Sequence, residues 1–105
     1  MKWKTCIQTP FKNCEQIYPI QQNKIAKLLN VLTINSNVKR VIVFGSSVTA
    51  RCHIDSDVDI YVELEYDEKH IINQPLEFVF DLWTNFTVDD RLRNEILSTG
   101  VIVYG

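Results

Sequence analysis

Two aspartates one residue apart, Asp57 and Asp59, follow a Gly45-Ser46 pair after ten intervening residues, and that pair itself leaves a short apolar run, Val41-Ile42-Val43-Phe44. Carboxylates on alternate residues of a strand share one face, with Cα atoms roughly 6.5–7 Å apart, so the two acids can converge on shared ions. Hard divalent cations such as Mg²⁺ take oxygen ligands, and two of them about 3.5–4 Å apart clamp the attacking and leaving oxygens of an in-line phosphoryl displacement. Two acids alone make a thin site. Asp81 is the candidate third, because aspartate is disfavoured in strands and this one stands between Phe80 and Leu82 in a run otherwise fit for a core. Gly45 lets a backbone approach a phosphate without a Cβ, and Ser46 offers a hydroxyl and an N–H at a helix N-terminus, a position that favours anions. Arg51, close to the same turn, is a counter-charge for an anionic nucleotide.

Each piece alone is weak. Gly-Ser after a strand is usually only a turn, Asp-x-Asp on an amphipathic strand is commonly a solvated face, and a lone strand aspartate is often an edge charge. The conjunction, in this order and with the strand context each part requires, is far more specific. Three close carboxylates also raise one another's pKa, a conflict that bound cations remove.

The elements that must carry these residues are legible in outline. Residues 1–18 mix Trp3, Ile7, Phe11 and Ile17 with polar residues and Pro10, with no clean period, and form an irregular lead-in. From about Pro19, Ile25, Leu28, Leu29 and Leu32 recur at i, i+3, i+4 and i+7, the apolar stripe of an amphipathic helix, with Gln22, Lys24 and Lys27 off it. Asn35-Ser36-Asn37 ends that helix, and Val41 to Phe44 is a strand buried on both faces. Ser46 to Cys52 has helical character for at most two turns, with Ser46 as N-cap. Asp57 to Glu65 alternates: Val58, Ile60, Val62 and Leu64 face a core, and Asp57, Asp59, Tyr61 and Glu63 form an acidic face. Tyr66 to Pro75 is a polar connection and Leu76 to Trp83 a third strand-like run. Asp89 or Asp90 caps a helix through Leu92, Ile96 and Leu97, Gly100 ends it, and Val101 to Tyr104 closes the chain as a strand. The expected architecture is one α+β domain over residues 1–105, two layers with a mixed sheet and helices packed on it.

Composition narrows the functional classes. A net charge of -2 gives no electrostatic footprint for direct nucleic-acid binding, and 46% apolar with 23% charged residues is that of a soluble globular protein. Cys6, Cys14 and Cys52 form no Cys-x-x-Cys pair, so neither a disulfide framework nor a zinc site is suggested, and a reducing, cytoplasmic setting is expected. Lys2 and Lys4 are followed by polar Thr5, Gln8, Thr9 and Lys12, so no signal-peptide core is expected, and no apolar stretch approaches the roughly 20 residues of a membrane helix.

Gly45-Ser46, ten residues, Asp57-x-Asp59, with the later strand acid Asp81, resembles the signature of the minimal nucleotidyltransferase family within the DNA polymerase beta-like nucleotidyltransferase superfamily. The likeness runs from the helix near Pro19 to Tyr104. It implies the polymerase beta-like fold and transfer of a nucleoside monophosphate from an NTP, with ATP as donor, to an acceptor hydroxyl. Many such proteins are antitoxins paired with a HEPN-domain ribonuclease toxin, and some adenylylate that toxin; such a toxin is the partner the resemblance implies. Carried over by position, Asp57 and Asp59 would hold two Mg²⁺ ions, Asp81 would hold the catalytic ion and help deprotonate the acceptor, and Gly45 and Ser46 would contact the triphosphate, with Ser47 as a second hydroxyl. Family members often carry Arg and Gly after Gly-Ser, where this chain has Ser47, Thr49 and Ala50, with Arg51 displaced.

That departure motivates an alternative of a different class, a binding module that neutralises its partner by occlusion with a weak or inactive site. A small-molecule, antibiotic-type transferase is a third reading; it needs an acceptor pocket that a partner or a second copy in a homo-oligomer would supply. His53 and His70 are read as solvent-facing, Lys39-Arg40 as strand-flanking charges, and Arg91, Arg93 and Glu95 as a solvated helix face. Trp83 and Phe86 fit a core or a partner-facing patch.

Overall fold

The computed structural model describes residues 2–105, so Met1 of the expected lead-in lies outside them. The lead-in has one regular feature, a 3-10 turn at Cys14–Gln16 preceded by Asn13 in the left-handed region (φ 59°), a conformation asparagine tolerates. It is tied down by Gln22. The Gln22 side chain accepts from Cys6 N at 2.7 Å and donates to Lys4 O at 2.9 Å and Ile17 O at 3.0 Å. The expectation that Gln22 lies off the apolar stripe is corrected: three residues before Ile25 and seven before Leu29 it sits at the stripe's margin, and the lead-in buries it completely.

Helix α1 (Pro19–Leu32) starts with Pro19 in its first turn, where a missing N–H costs nothing. Its stripe is buried throughout: Ile25, Leu28, Leu29 and Leu32 are all core. Strand β1 (Val38–Phe44) leads into a 3-10 turn at Gly45–Val48, and β2 (Val58–Leu64), β3 (Phe80–Thr84), α2 (Asp90–Thr99) and β4 (Val101–Tyr104) follow. The four strands form one sheet in the order β3-β2-β1-β4. β1 pairs antiparallel with β2 and β4, whereas β2 and β3 are parallel, so the sheet is mixed and the class is α+β.

A parallel pair needs a crossover, and residues 65–79 supply one without a helix. Its apolar residues do the covering that a helix would do elsewhere: Ile71 is buried, and Ile72, Leu76 and Phe78 pack against the core on the α1 side. That is why β3 begins at Phe80 and not at Leu76, and why the connection is not simply polar.

The two helices lie on opposite faces of the sheet. Val41, Val43, Val58, Ile60 and Val62 face α1. Ile42, Phe44 and Tyr61 face Ile96 of α2, with Leu92, Ile102 and Trp83 at the margin and the Phe44 and Trp83 rings 5.5 Å apart. The second face of β2 is therefore not an open acidic surface. Tyr61 is only 3% exposed, and acid character is confined to the two ends of the strand, at Asp59 and Glu63. Trp83 belongs to this small second core, while Phe86 stays exposed. Among the described residues no helix is long and apolar enough to cross a membrane.

Candidate active site

Register, more than sequence spacing, assembles the site. In β2, Asp59 stands opposite Phe44 of β1 on one side and opposite Asp81 of β3 on the other. Neighbouring strands lie about 4.8 Å apart and paired residues share a face, so Asp59 and Asp81 project side by side. Asp57 precedes β2 by one residue and is exposed, as is Asp81; Asp59 is half-buried between them.

Phe44 is followed at once by Gly45, in the left-handed region at φ +75°. A Cβ on Gly45 would collide with the Asp59 carboxylate, so the turn and the central acid are in direct contact. The turn itself differs from the sequence pattern. It is a single 3-10 turn; Phe44, with extended backbone, occupies the N-cap position, and Ser46 caps nothing. One such turn has little dipole to offer an anion, which leaves the Gly45 backbone and the half-exposed Ser46 as the polar groups it presents.

Ser47 points the other way. It has no solvent exposure, and its hydroxyl accepts from Gln21 Nε2 at 3.2 Å. The expectation that it adds a second hydroxyl for a nucleotide is corrected: in a turn this tight, successive side chains point in different directions, and this one faces the helix.

Asp59 is the electrostatic centre. Its carboxyl is pushed up to about 6, first by burial, which disfavours the charged form, and then by the negative charges of Asp81, Asp57 and Glu95. Glu95 is the residue that sequence reasoning missed. It is exposed, as expected of a solvated helix face, and from there it lines, with Thr99 from α2, a cavity of ≈ 520 Å³ whose other walls are Gly45, Ser46, Val48, Thr49 and Arg51. No local signal reveals this, because it depends on which face of the sheet α2 covers.

Gly45, Ser46 and Arg51 thus share one cavity. Lys39 and Arg40 do not reach it; they pair with Glu65 at 3.3 Å and with Glu63 respectively. His53 is exposed in the preceding loop, where its backbone N–H donates to Ser56 Oγ.

Asp57, Asp59 and Asp81 form an oxygen-only donor set of the kind hard divalent cations take, and the raised Asp59 is a group whose strain such a charge would relieve. Among the described residues, however, no three His, Cys, Asp or Glu side chains are gathered closely enough to enclose a metal ion. The acids line an open face with Asp59 at its centre.

The model of one protein family, described as polymerase beta, nucleotidyltransferase, matches residues 23–105. The match begins within α1 and contains every acid named above. No curated protein matches the chain.

Proposed function

Because the chain belongs to the polymerase beta nucleotidyltransferase family, we propose that it moves a nucleoside monophosphate, AMP from ATP in the first instance, to a hydroxyl of a protein acceptor, the bond to the β-phosphate breaking and pyrophosphate leaving. The observation that carries this reading is the register Phe44–Asp59–Asp81, which sets a glycine turn and two carboxylates side by side. Asp57, Asp59 and Asp81 would hold Mg²⁺. Bound Mg²⁺ would neutralise phosphate charge and make the acceptor hydroxyl more acidic.

The chain's own residues do the rest. Gly45, without a Cβ, lets a phosphate oxygen approach the backbone, and Ser46 donates its hydroxyl to it. Arg51 faces the same cavity and balances the charge of the donor. Asp81, exposed on the outermost strand, is free to take the proton of an incoming hydroxyl. Positioning and electrostatics supply most of the acceleration in such transfers.

An acceptor that is itself a protein suits a site this open, and the HEPN-type toxin of a cytoplasmic toxin-antitoxin pair is the partner we propose, with this chain as antitoxin. The test is incubation with that partner, Mg²⁺ and α-labelled ATP. Label is expected on the partner, and Asp57→Ala or Asp59→Ala abolishes it while the fold is retained. Labelling at the wild-type level by either variant would refute the assignment.

One observation favours occlusion instead: among the described residues, no three ligating side chains are gathered around a metal position. Neutralisation of the partner that survives Asp57→Ala, with no label transferred by the wild type, would establish that reading.

A further inference from the structure

Gln21 is in the first turn of α1 and has no solvent exposure. A fully buried glutamine is unusual unless its amide is satisfied. Here only one end is. Nε2 donates to Ser47 Oγ at 3.2 Å and to Ser56 O at 3.0 Å, with Asp57 O at 3.5 Å, while Oε1 has no partner among the described residues. A methionine would fill the same space without orphaning an acceptor, so packing alone does not account for this side chain.

The amide's partners belong to two different parts of the site. Ser47 lies in the turn that begins at Gly45, and Ser56-Asp57 is the segment that leads into β2. Between them, the hydrogen bonds made by residues 49–56 are otherwise local: Thr49 N and Thr49 Oγ1 donate to Ser46 O, Arg51 N to Thr49 Oγ1, Cys52 N to Thr49 O and Ser56 N to His53 O. Tyr18 N donates to Ser47 O at 2.8 Å, which fixes the start of α1 to the turn. Among the described residues, Gln21 alone extends hydrogen bonds from there to the Asp57 segment. Its neighbour Gln22 spends its own amide on the lead-in.

We infer that Gln21 is a positioning residue whose buried amide locks the Gly45–Val48 turn to the segment carrying Asp57, so that the phosphate-facing and carboxylate halves of the site keep one separation. It touches neither substrate nor metal and acts through Ser47 and the Ser56 carbonyl. The consequence for transfer rests on the nucleotidyltransferase reading above; the mechanical coupling does not.

Gln21→Met keeps the volume and removes the donors. Hydrogen–deuterium exchange is the first readout: the amides of residues 46–49 and 56–58 are expected to exchange about tenfold faster, the loss of roughly one buried hydrogen bond, while those of β4 stay as in the wild type. The second readout is binding of Mn²⁺ with ATP, expected to weaken by about the same factor. In a wild type that transfers label, kcat is expected to fall more than KM changes, since the variant disturbs alignment and not contact.

Unchanged exchange in either segment overturns the inference, because a residue that only fills space would leave both silent. If Gln21→Met does not fold, Gln21→Glu decides, since it keeps the shape and sets a carboxylate oxygen against the Ser56 carbonyl. The same two segments must then loosen together. A wild type that binds no Mn²⁺–ATP sinks the nucleotidyltransferase reading, while the exchange pattern still decides whether Gln21 couples the two segments.

Discussion

Gly45 is constrained twice, by its backbone and by its neighbour. Its φ of +75° lies where L side chains are strained, and the space a Cβ would take is filled by the carboxylate of Asp59. Left-handed backbone at a non-glycine residue costs about 1–2 kcal/mol, and the collision adds to it unless Asp59 swings away. Gly45→Ala is therefore expected to lose roughly 1–3 kcal/mol of stability, at about 4–8 °C of melting temperature per kcal/mol. The more telling effect is on transfer, measured where the variant is still fully folded: activity should fall at least tenfold, because relief of the clash turns the central acid out of line with Asp81. A folded Gly45→Ala with undiminished transfer would show that the orientation of Asp59 is immaterial. Ser46 and Ser47 carry the same lesson: two adjacent hydroxyls, chemically equal in the sequence, differ wholly in role because one faces the cavity side of the turn and the other faces Gln21.

Helix α2 reaches the site from the opposite side of the sheet to α1, and two features hold it. Asp89 caps its start, accepting from Leu92 N at 2.7 Å, and Ile96 is its one fully buried side chain, packed on Ile42, Phe44 and Tyr61. The cap stabilises the far end of the helix, whereas Ile96 sits beside Glu95 and one turn before Thr99. Asp89→Ala should cost about 1 kcal/mol in denaturant unfolding and leave transfer unaltered. Ile96→Ala should cost about 2–5 kcal/mol and also reduce transfer, because it frees the wall of the cavity. Equal effects on transfer would mean that α2 is held as one rigid piece. A cap at Asp89 or Asp90 with Gly100 at the other end was readable, and the structure selects Asp89; the α1 stripe and the run Val41–Phe44 were readable too, since each is a local pattern. Asp81 announced itself too, as an acid where a strand disfavours one. What lies beyond local pattern was not readable: the pairing of Asp59 with both Phe44 and Asp81 is a matter of register, and the burial of Tyr61 and the place of Glu95 on the cavity wall depend on which face α2 covers. Gln21 stands four, seven and eleven residues before Ile25, Leu28 and Leu32, so its spacing does place it on the buried stripe, but the polar partners that its amide finds in the Ser47 turn and at Ser56 are not written in that spacing, nor is the lead-in that closes over Gln22.

A net charge of -2 for the chain conceals how unevenly the acids are placed. Burial acts first on Asp59, and the repulsion of Asp81, Asp57 and Glu95 adds to it, so its carboxyl is pushed up to about 6 in the folded protein against 3.8 ordinarily. A carboxyl with a raised pKa holds its proton more tightly when folded than when unfolded. Its contribution to stability is thus fully present below about pH 4, is lost as pH rises from there through about 6, and stays lost above. At neutral pH without divalent cations the protein holds this charge against a cost on the order of 1 kcal/mol once solvent screening is allowed for. Asp59→Asn should accordingly raise the melting temperature at pH 7 in the presence of chelator, change it little at pH 4, and abolish transfer. Millimolar Mg²⁺ at pH 7 should raise the melting temperature of the wild type and do markedly less for the variant, because the strain it would relieve is already gone. Calorimetry of the two proteins across pH 4–7, with and without Mg²⁺, decides the matter. If Asp59→Asn is the less stable protein at pH 7 in chelator, the carboxylate is held by favourable contacts and not against repulsion, and the expectation of cation relief fails with it. If the variant is the more stable, the acid that the turn and both neighbouring strands converge on is kept for what it binds, since the fold by itself does better without it.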